Sequence, residues 1–175
     1  MKKKLITIDG PAASGKGKIA KYISKKWKYK HLDSGTLYRS LAYNLIKHKV
    51  DINSIDELKK IINSKGSISF RKYSKLRSEK VSKIASKIAV HEFIRKYINK
   101  FQRDFIHSHK NNNYFVIDGR DIGSVVFKNA DLKLYIEANE KNRAKRRHKQ
   151  LIDSGERSIY PEILKDIKLR DNKDI

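Results

Sequence analysis

The segment Gly10-Pro11-Ala12-Ala13-Ser14-Gly15-Lys16 sets two glycines around a short turn and ends on a lysine. Those residue types at that spacing suit the cradling of phosphate oxygens. Glycines let successive backbone N–H groups converge on an anion, and a following helix N-terminus adds partial positive charge. An ammonium at Lys16 would neutralise a phosphoryl group in transfer. After Gly15-Lys16 the general pattern supplies a Ser or Thr hydroxyl to Mg²⁺, whereas Gly17 and Lys18 follow here. The second chemically telling set is the arginines. The chain has 31 Lys but only 11 Arg, and the Lys residues are spread over nearly every segment. A planar guanidinium fork grips phosphate in two places at once, which an ammonium cannot do, so scarce Arg is informative where abundant Lys is not.

The elements needed to position these groups are legible as hydrophobic periodicity. Leu5-Ile6-Thr7-Ile8 predicts a buried strand ending at Asp9-Gly10, and Lys16 to Tyr29 predicts a helix with Ala20, Ile23 and Trp27 on one face. His31-Leu32 predicts a weak second strand. Leu37, Leu41, Leu45 and Ile46 return to helical spacing, and Ser54-Ile55-Asp56-Glu57 is a capping box before Leu58, Ile61 and Ile62. Ile68-Ser69-Phe70 alternates as a short exposed strand would. Helices are expected from Ser78-Glu79 through Ile88 and from Phe93 through Phe105, stopped by Asn111-Asn112-Asn113. Tyr114-Phe115-Val116-Ile117 and Leu132-Lys133-Leu134-Tyr135-Ile136 are the remaining strands. A basic helix from Glu140 to Asp153 breaks at Ser154-Gly155, and Pro161 opens the last helix. Strands alternating with helices predict an α/β fold with a parallel sheet.

The length of 175 residues suits one domain with a small insertion, and the absence of Cys excludes a disulfide scaffold and thiolate metal sites. The six His show no ligand-like spacing. Apolar runs fall far short of a bilayer span or a signal-peptide core, so a soluble, cytoplasmic protein is expected, with no membrane partner. A formal charge of +23 invites a nucleic-acid reading. Its dispersal over Lys, and aromatics at helix-core spacing as in Phe101 and Phe105, argue against a specific nucleic-acid partner.

Gly15-Lys16-Gly17 resembles the loop of nucleoside monophosphate kinases, in which Thr usually comes next; Lys18 stands in that place. Three further segments narrow the resemblance: His31-Leu32-Asp33-Ser34-Gly35-Thr36-Leu37-Tyr38-Arg39, Leu76-Arg77-Ser78-Glu79-Lys80-Val81 with Ala85-Ser86-Lys87-Ile88-Ala89 and Arg95, and Asp118-Gly119-Arg120-Asp121-Ile122-Gly123. Together with the phosphate loop, these resemble bacterial cytidylate (CMP) kinases over essentially the whole chain. The resemblance implies a three-layer P-loop kinase fold, with a core over residues 1–50, 90–142 and 161–175, an acceptor-binding insert over 51–89 and a lid over 143–160. Insert and lid are the expected movers, closing to exclude water and prevent ATP hydrolysis.

The resemblance also implies roles. Gly10, Pro11, Ala12, Ala13, Ser14, Gly15, Lys16, Gly17 and Lys18, with Arg143 and Arg146 from the lid, would bind ATP. Ser34, Arg39 and Arg120 match acceptor-binding positions, the two arginines on the acceptor phosphate. Ser86, Arg95 and Asp121 match positions that read cytosine; an Asp accepts from the exocyclic amine of C and would face a carbonyl in U. Arg170 would reach phosphate and Asp174 the acceptor ribose. Lys16, Arg120, Arg143 and Arg147 would be catalytic, stabilising charge on a loose transition state without a general base. Mg²⁺ is the implied cofactor, held through water near Asp118 rather than by direct ligands. The partners expected are ATP and CMP or dCMP, acting on a monomer. The competing readings are a P-loop kinase for UMP, AMP or shikimate, and, more remotely, a basic nucleic-acid-binding module.

Members of the family continue beyond the position of Ile175 through another acceptor-contacting Arg, a loop against the adenine, a fifth strand and a terminal helix. A chain ending at Ile175 is therefore expected to show a four-stranded sheet with an uncovered edge, and to be less stable and less active than an extended one.

Overall fold

A computed structural model describes residues 3–64 and 74–172. The chain divides into two compact units, one of residues 1–33 with 109–175 and one of residues 34–108.

In the first unit, β-branched and aliphatic runs form the strands β1 (Lys4–Asp9), β2 (Lys30–Asp33), β3 (Tyr114–Asp118) and β4 (Leu132–Tyr135). They make one parallel sheet in the order β2-β3-β1-β4. Helix α1 (Lys16–Trp27) joins β1 to β2. Ile8, Ala20, Ile23 and Val116 form a cluster between sheet and helix, joined by Ile6, Ile19, Tyr29, Leu134 and Ile136. Trp27, expected on the buried face of α1, is 53 % exposed. Beside Tyr22, Tyr29 and Leu132 it instead bounds a shallow apolar groove.

The connection from β1 runs past β3 to β2, and that from β3 runs past β1 to β4. The chain direction thus switches between β1 and β3, where open parallel sheets place ligand sites at the carboxyl ends of their strands. Register puts Ile8, Asp118 and Asp33 in one row across that end. Side chains alternate between the two faces, so Asp9 lies on the opposite one. A five-residue π-helix, Ile122–Val126, follows β3 and was not foreseen. Helices α6 (Glu140–Asp153) and α7 (Tyr160–Asp171) pack through Ala144, Leu151, Ile163 and Ile167. Asn139 caps α6, accepting from Lys141 N at 2.9 Å, and Pro161 sits in the first turn of α7.

The second unit is helical: α2 (Ser34–Lys47), α3 (Ile55–Asn63), α4 (Glu79–Ile88) and α5 (Glu92–Ser108), with a 3₁₀ turn at Ser74–Arg77. Helix α2 begins directly at Ser34, with no loop after the strand. Leu41, Leu45, Leu58, Ile88, Ile94 and Ile98 are fully buried. Ser54 and Ser78 cap α3 and α4 by accepting from Glu57 N and Val81 N. The capping box at Ser54 is only half made, because the Glu57 carboxylate accepts from Asp51 N instead. The stripe on α5 also differs from expectation. Its buried positions are Ile94, Ile98, Gln102 and Ile106, while Phe101 is 36 % exposed against Tyr97. The strand expected at Ile68–Phe70 lies outside the described residues.

Candidate active site

The phosphate loop has the backbone that its glycines permit. Gly10 (φ 148°) and Gly15 (φ 106°) lie at positive φ, as does Ala13 (φ 59°). At Gly10 a Cβ would stand 2.2 Å from the Ile136 carbonyl oxygen, so no side chain fits. That close approach follows from sheet pairing, since Ile136 N donates to Asp9 O at 2.8 Å. Helix α1 then starts at Lys16, with Lys18 N donating to Gly15 O. Its first turn holds no acidic side chain of its own.

Lys16 Nζ donates to Pro11 O at 2.9 Å and so lies folded against the loop. Burial, aided by the Arg120 guanidinium, pushes its pKa down to about 8; Asp118, Asp33 and Asp9 pull in the opposite direction. Asp9, buried under the loop, accepts from Ile122 N and Gly123 N at 2.8 Å each. Burial outweighs those donors and raises the Asp9 pKa. These bonds tie the chain that follows Arg120 and Asp121 to the end of β1. Gly123 is required there, as a Cβ would meet Thr7 Oγ1 at 2.5 Å.

On the other face of the sheet, Asp118 Oδ1 lies 2.6 Å from His31 Nε2, with both side chains largely buried. A Cβ on Gly17 would lie 3.4 Å from Asp118 Oδ2. The carboxylate therefore faces the start of α1, at the residue where the general loop pattern carries its hydroxyl.

The basic helix α6 closes the group. Arg146 Nη1 donates to Ser14 O at 2.8 Å, and Arg143 Nη1 to Ala12 O at 3.3 Å. Arg143 also donates through Nε to Ala138 O at 2.8 Å and is paired through both Nη atoms with the Asp171 carboxylate. Its side chain is 5 % exposed. Arg143 thus underpins the loop from within, while Arg146 reaches it from an exposed position. Arg147 turns to its own helix, donating to Gln150 Oε1. Lys18 and Arg120 are exposed; Asp121 and Arg170 are half-buried. Asp174 lies outside the described residues.

In the helical unit, Ser34 is buried at the start of α2 and accepts from Gln102 Nε2 at 3.1 Å. Arg39, one turn further on, donates to Thr36 Oγ1 at 3.1 Å. Ser86 on α4 and Arg95 on α5 are half-buried. Four residues were missed by the sequence reading: Asp9, His31, Gln102 and Asp171. For Gln102 a signal existed, since it is the one polar side chain in the Ile94–Ile98–Gln102–Ile106 spacing. For Asp9 and Asp171 none did, because their partners are 113 and 28 residues away.

Among the described residues no three His, Cys, Asp or Glu side chains group as a metal cage, and no helix is long and apolar enough to cross a membrane.

Comparison with known proteins converges on one family. The family model for cytidylate kinase matches residues 6–175. A cytidylate kinase of Bartonella tribocorum is 41 % identical over all of this chain and 80 % of its own length. One of Rickettsia africae is 41 % identical over 97 % of this chain and 74 % of its own. Among solved structures, that of TT1252 from Thermus thermophilus covers the whole chain with a TM-score of 0.52; at 18 % identity it bears on the fold alone. With a phosphate loop at the switch point of a parallel sheet and a family match spanning nearly every residue, the chain belongs to the cytidylate kinase family of ATP-dependent phosphotransferases.

Proposed function

We propose that the chain transfers the γ-phosphoryl group of ATP to CMP, and to dCMP as a second acceptor, giving CDP or dCDP and ADP in pyrimidine nucleotide metabolism. The observation that carries this reading is the phosphate loop itself: a Gly-rich turn at positive φ, a half-buried Lys16 folded against it, and two arginines of α6 bonded to the loop's own carbonyls.

ATP phosphates would accept from the loop N–H groups of residues 10–18, with Lys16 leaving Pro11 O to meet the transferred group. Ser14 Oγ is buried without a protein partner, and a phosphate oxygen would satisfy it. Arg146, already bonded to the loop at Ser14 O, and Arg147 would swing onto phosphate. Arg143, held by Asp171, is assigned the part of shaping the loop and adding fixed positive charge beneath it. Arg39, Arg120 and Arg170 would align the acceptor phosphate for in-line attack, whose anionic oxygen needs no base. Ser34, Ser86, Arg95 and Asp121 would read the nucleoside, and Asp174 the ribose.

The donor set suits Mg²⁺ held through its water shell, since one buried carboxylate, Asp118, faces α1 where a hydroxyl is missing. When bound, the ion would draw charge from the β- and γ-oxygens. A cytoplasmic, monomeric enzyme is the setting proposed, because ATP and CMP are supplied there and no role above calls on a second subunit.

ADP formation from Mg²⁺–ATP, measured over CMP, dCMP, UMP, AMP, shikimate and no acceptor, tests the proposal. Turnover should be fastest with CMP or dCMP. Fastest turnover with AMP, or none with CMP, would end it.

A further inference from the structure

We propose, on the phosphoryl-transfer reading above, that His31 is a positioning residue that decides which oxygen of Asp118 is presented to the metal–nucleotide side of the phosphate loop. The register places His31 opposite Val116, in a row whose other members, Val116 and Ile6, belong to the apolar cluster under α1. A histidine in such a row needs a polar partner. It finds one diagonally across the strand pair, at Asp118 Oδ1, 2.6 Å from Nε2. With a carboxylate as acceptor, Nε2 carries the proton and donates.

The two oxygens of Asp118 are thereby given different duties. Oδ1 is tied back to the sheet, and Oδ2 is left against Gly17 at the start of α1, 3.4 Å from where a Cβ there would lie. A terminal carboxylate torsion is broad and two-fold, so without a donor on one oxygen it turns freely. Asp33 stands directly opposite Asp118 in the register, and like charges in that relation push the carboxylate out of place. Because Gly17 and the exposed Lys18 supply no hydroxyl, the orientation of Oδ2 matters more in this chain than in a loop with Ser or Thr after its lysine.

The test uses the full chain and the variants His31→Phe, which fills the space without a donor, and His31→Gln, whose amide N–H reaches about as far as Nε2. Mn²⁺ affinity in the presence of a non-hydrolysable ATP analogue is read by electron paramagnetic resonance. Analogue affinity without metal, KM for CMP and the thermal midpoint are measured alongside. His31→Phe should weaken Mn²⁺ binding by about tenfold, as loss of an outer-sphere partner does. It should leave metal-free analogue affinity and KM for CMP unchanged, and His31→Gln should restore most of the loss. Unaltered Mn²⁺ affinity in His31→Phe overturns the proposal. So does equal loss in both variants with a parallel fall in melting, which marks a purely structural histidine. Failure of the kinase reading looks different: the unsubstituted chain would then bind no metal–analogue complex at all.

Discussion

The carboxyl end of the parallel sheet and the helical unit of residues 34–108 hold their polar side chains in different ways. At the sheet end, Asp9, Lys16, Asp118 and Arg143 are held by main-chain groups or by side chains from distant parts of the chain. Arg143 spans 131 residues to Ala12, and Asp9 spans 114 to Gly123. In the helical unit, an aliphatic core encloses the polar side chains Ser34, Ser40, Asn44 and Gln102, and Ser86 and Arg95 sit half-buried on helix faces. The buried pair Ser34–Gln102 is its counterpart to that network. A phosphate is the same in every nucleotide and rewards a site built once in backbone and fixed charge. A base must be told from other bases, which falls to side chains that substitution can retune.

The largest expected effect breaks the comparison at its chemical centre. Lys16→Met should cost about 10²–10³ in kcat, the range for removing one preorganised charge from a transition state. Because burial disfavours the Lys16 ammonium, the same change should not lower the melting temperature. A matching loss of stability would mean that Lys16 is a structural cation. Next comes Asp171→Ala, which leaves Arg143 buried and unpaired. About 3 kcal/mol is expected, or roughly 6–12 °C in Tm, at the low end because Asp171 is partly exposed. An unchanged melt would show that the bonds from Arg143 to Ala138 O and Ala12 O suffice.

In the helical unit, Gln102→Leu removes the donor to the Ser34 hydroxyl and should cost about 1 kcal/mol of stability. It should raise KM for CMP and leave KM for ATP unchanged; a change confined to ATP would erase the proposed division between the two regions.

The remaining expectation concerns pH. The Lys16 pKa is lowered from its ordinary 10.5 to about 8, so between those values the unfolded chain binds more protons than the folded one. Stability should therefore rise with pH across that window, while the charge proposed to meet ATP is lost. Opposed trends in chemical denaturation and ATP affinity above pH 8, both absent in Lys16→Met, are the outcome expected.

The order of strands and helices, the parallel sheet and the phosphate loop were legible because each depends on local pattern: β-branched runs, helical spacing, and glycines where φ turns positive. Trp27 and Phe101 were misplaced because spacing identifies a face and not what covers it. The π-helix after β3 is equally invisible, being held by the Asp9 carboxylate from another strand. Arg143 shows the limit most plainly. Its spacing from Arg146 and Arg147 puts three arginines on one helix, yet burial against Asp171 and Ala12 sets it apart from them.

By itself, then, the sequence determined the family and the phosphate loop, since backbone freedom and a lysine after glycine are local properties. Tertiary structure alone decided which charges are paired, which are buried and which way the Asp118 carboxylate turns. Those depend on strand register and helix packing between residues far apart in the chain, where desolvation sets the strength of every charge.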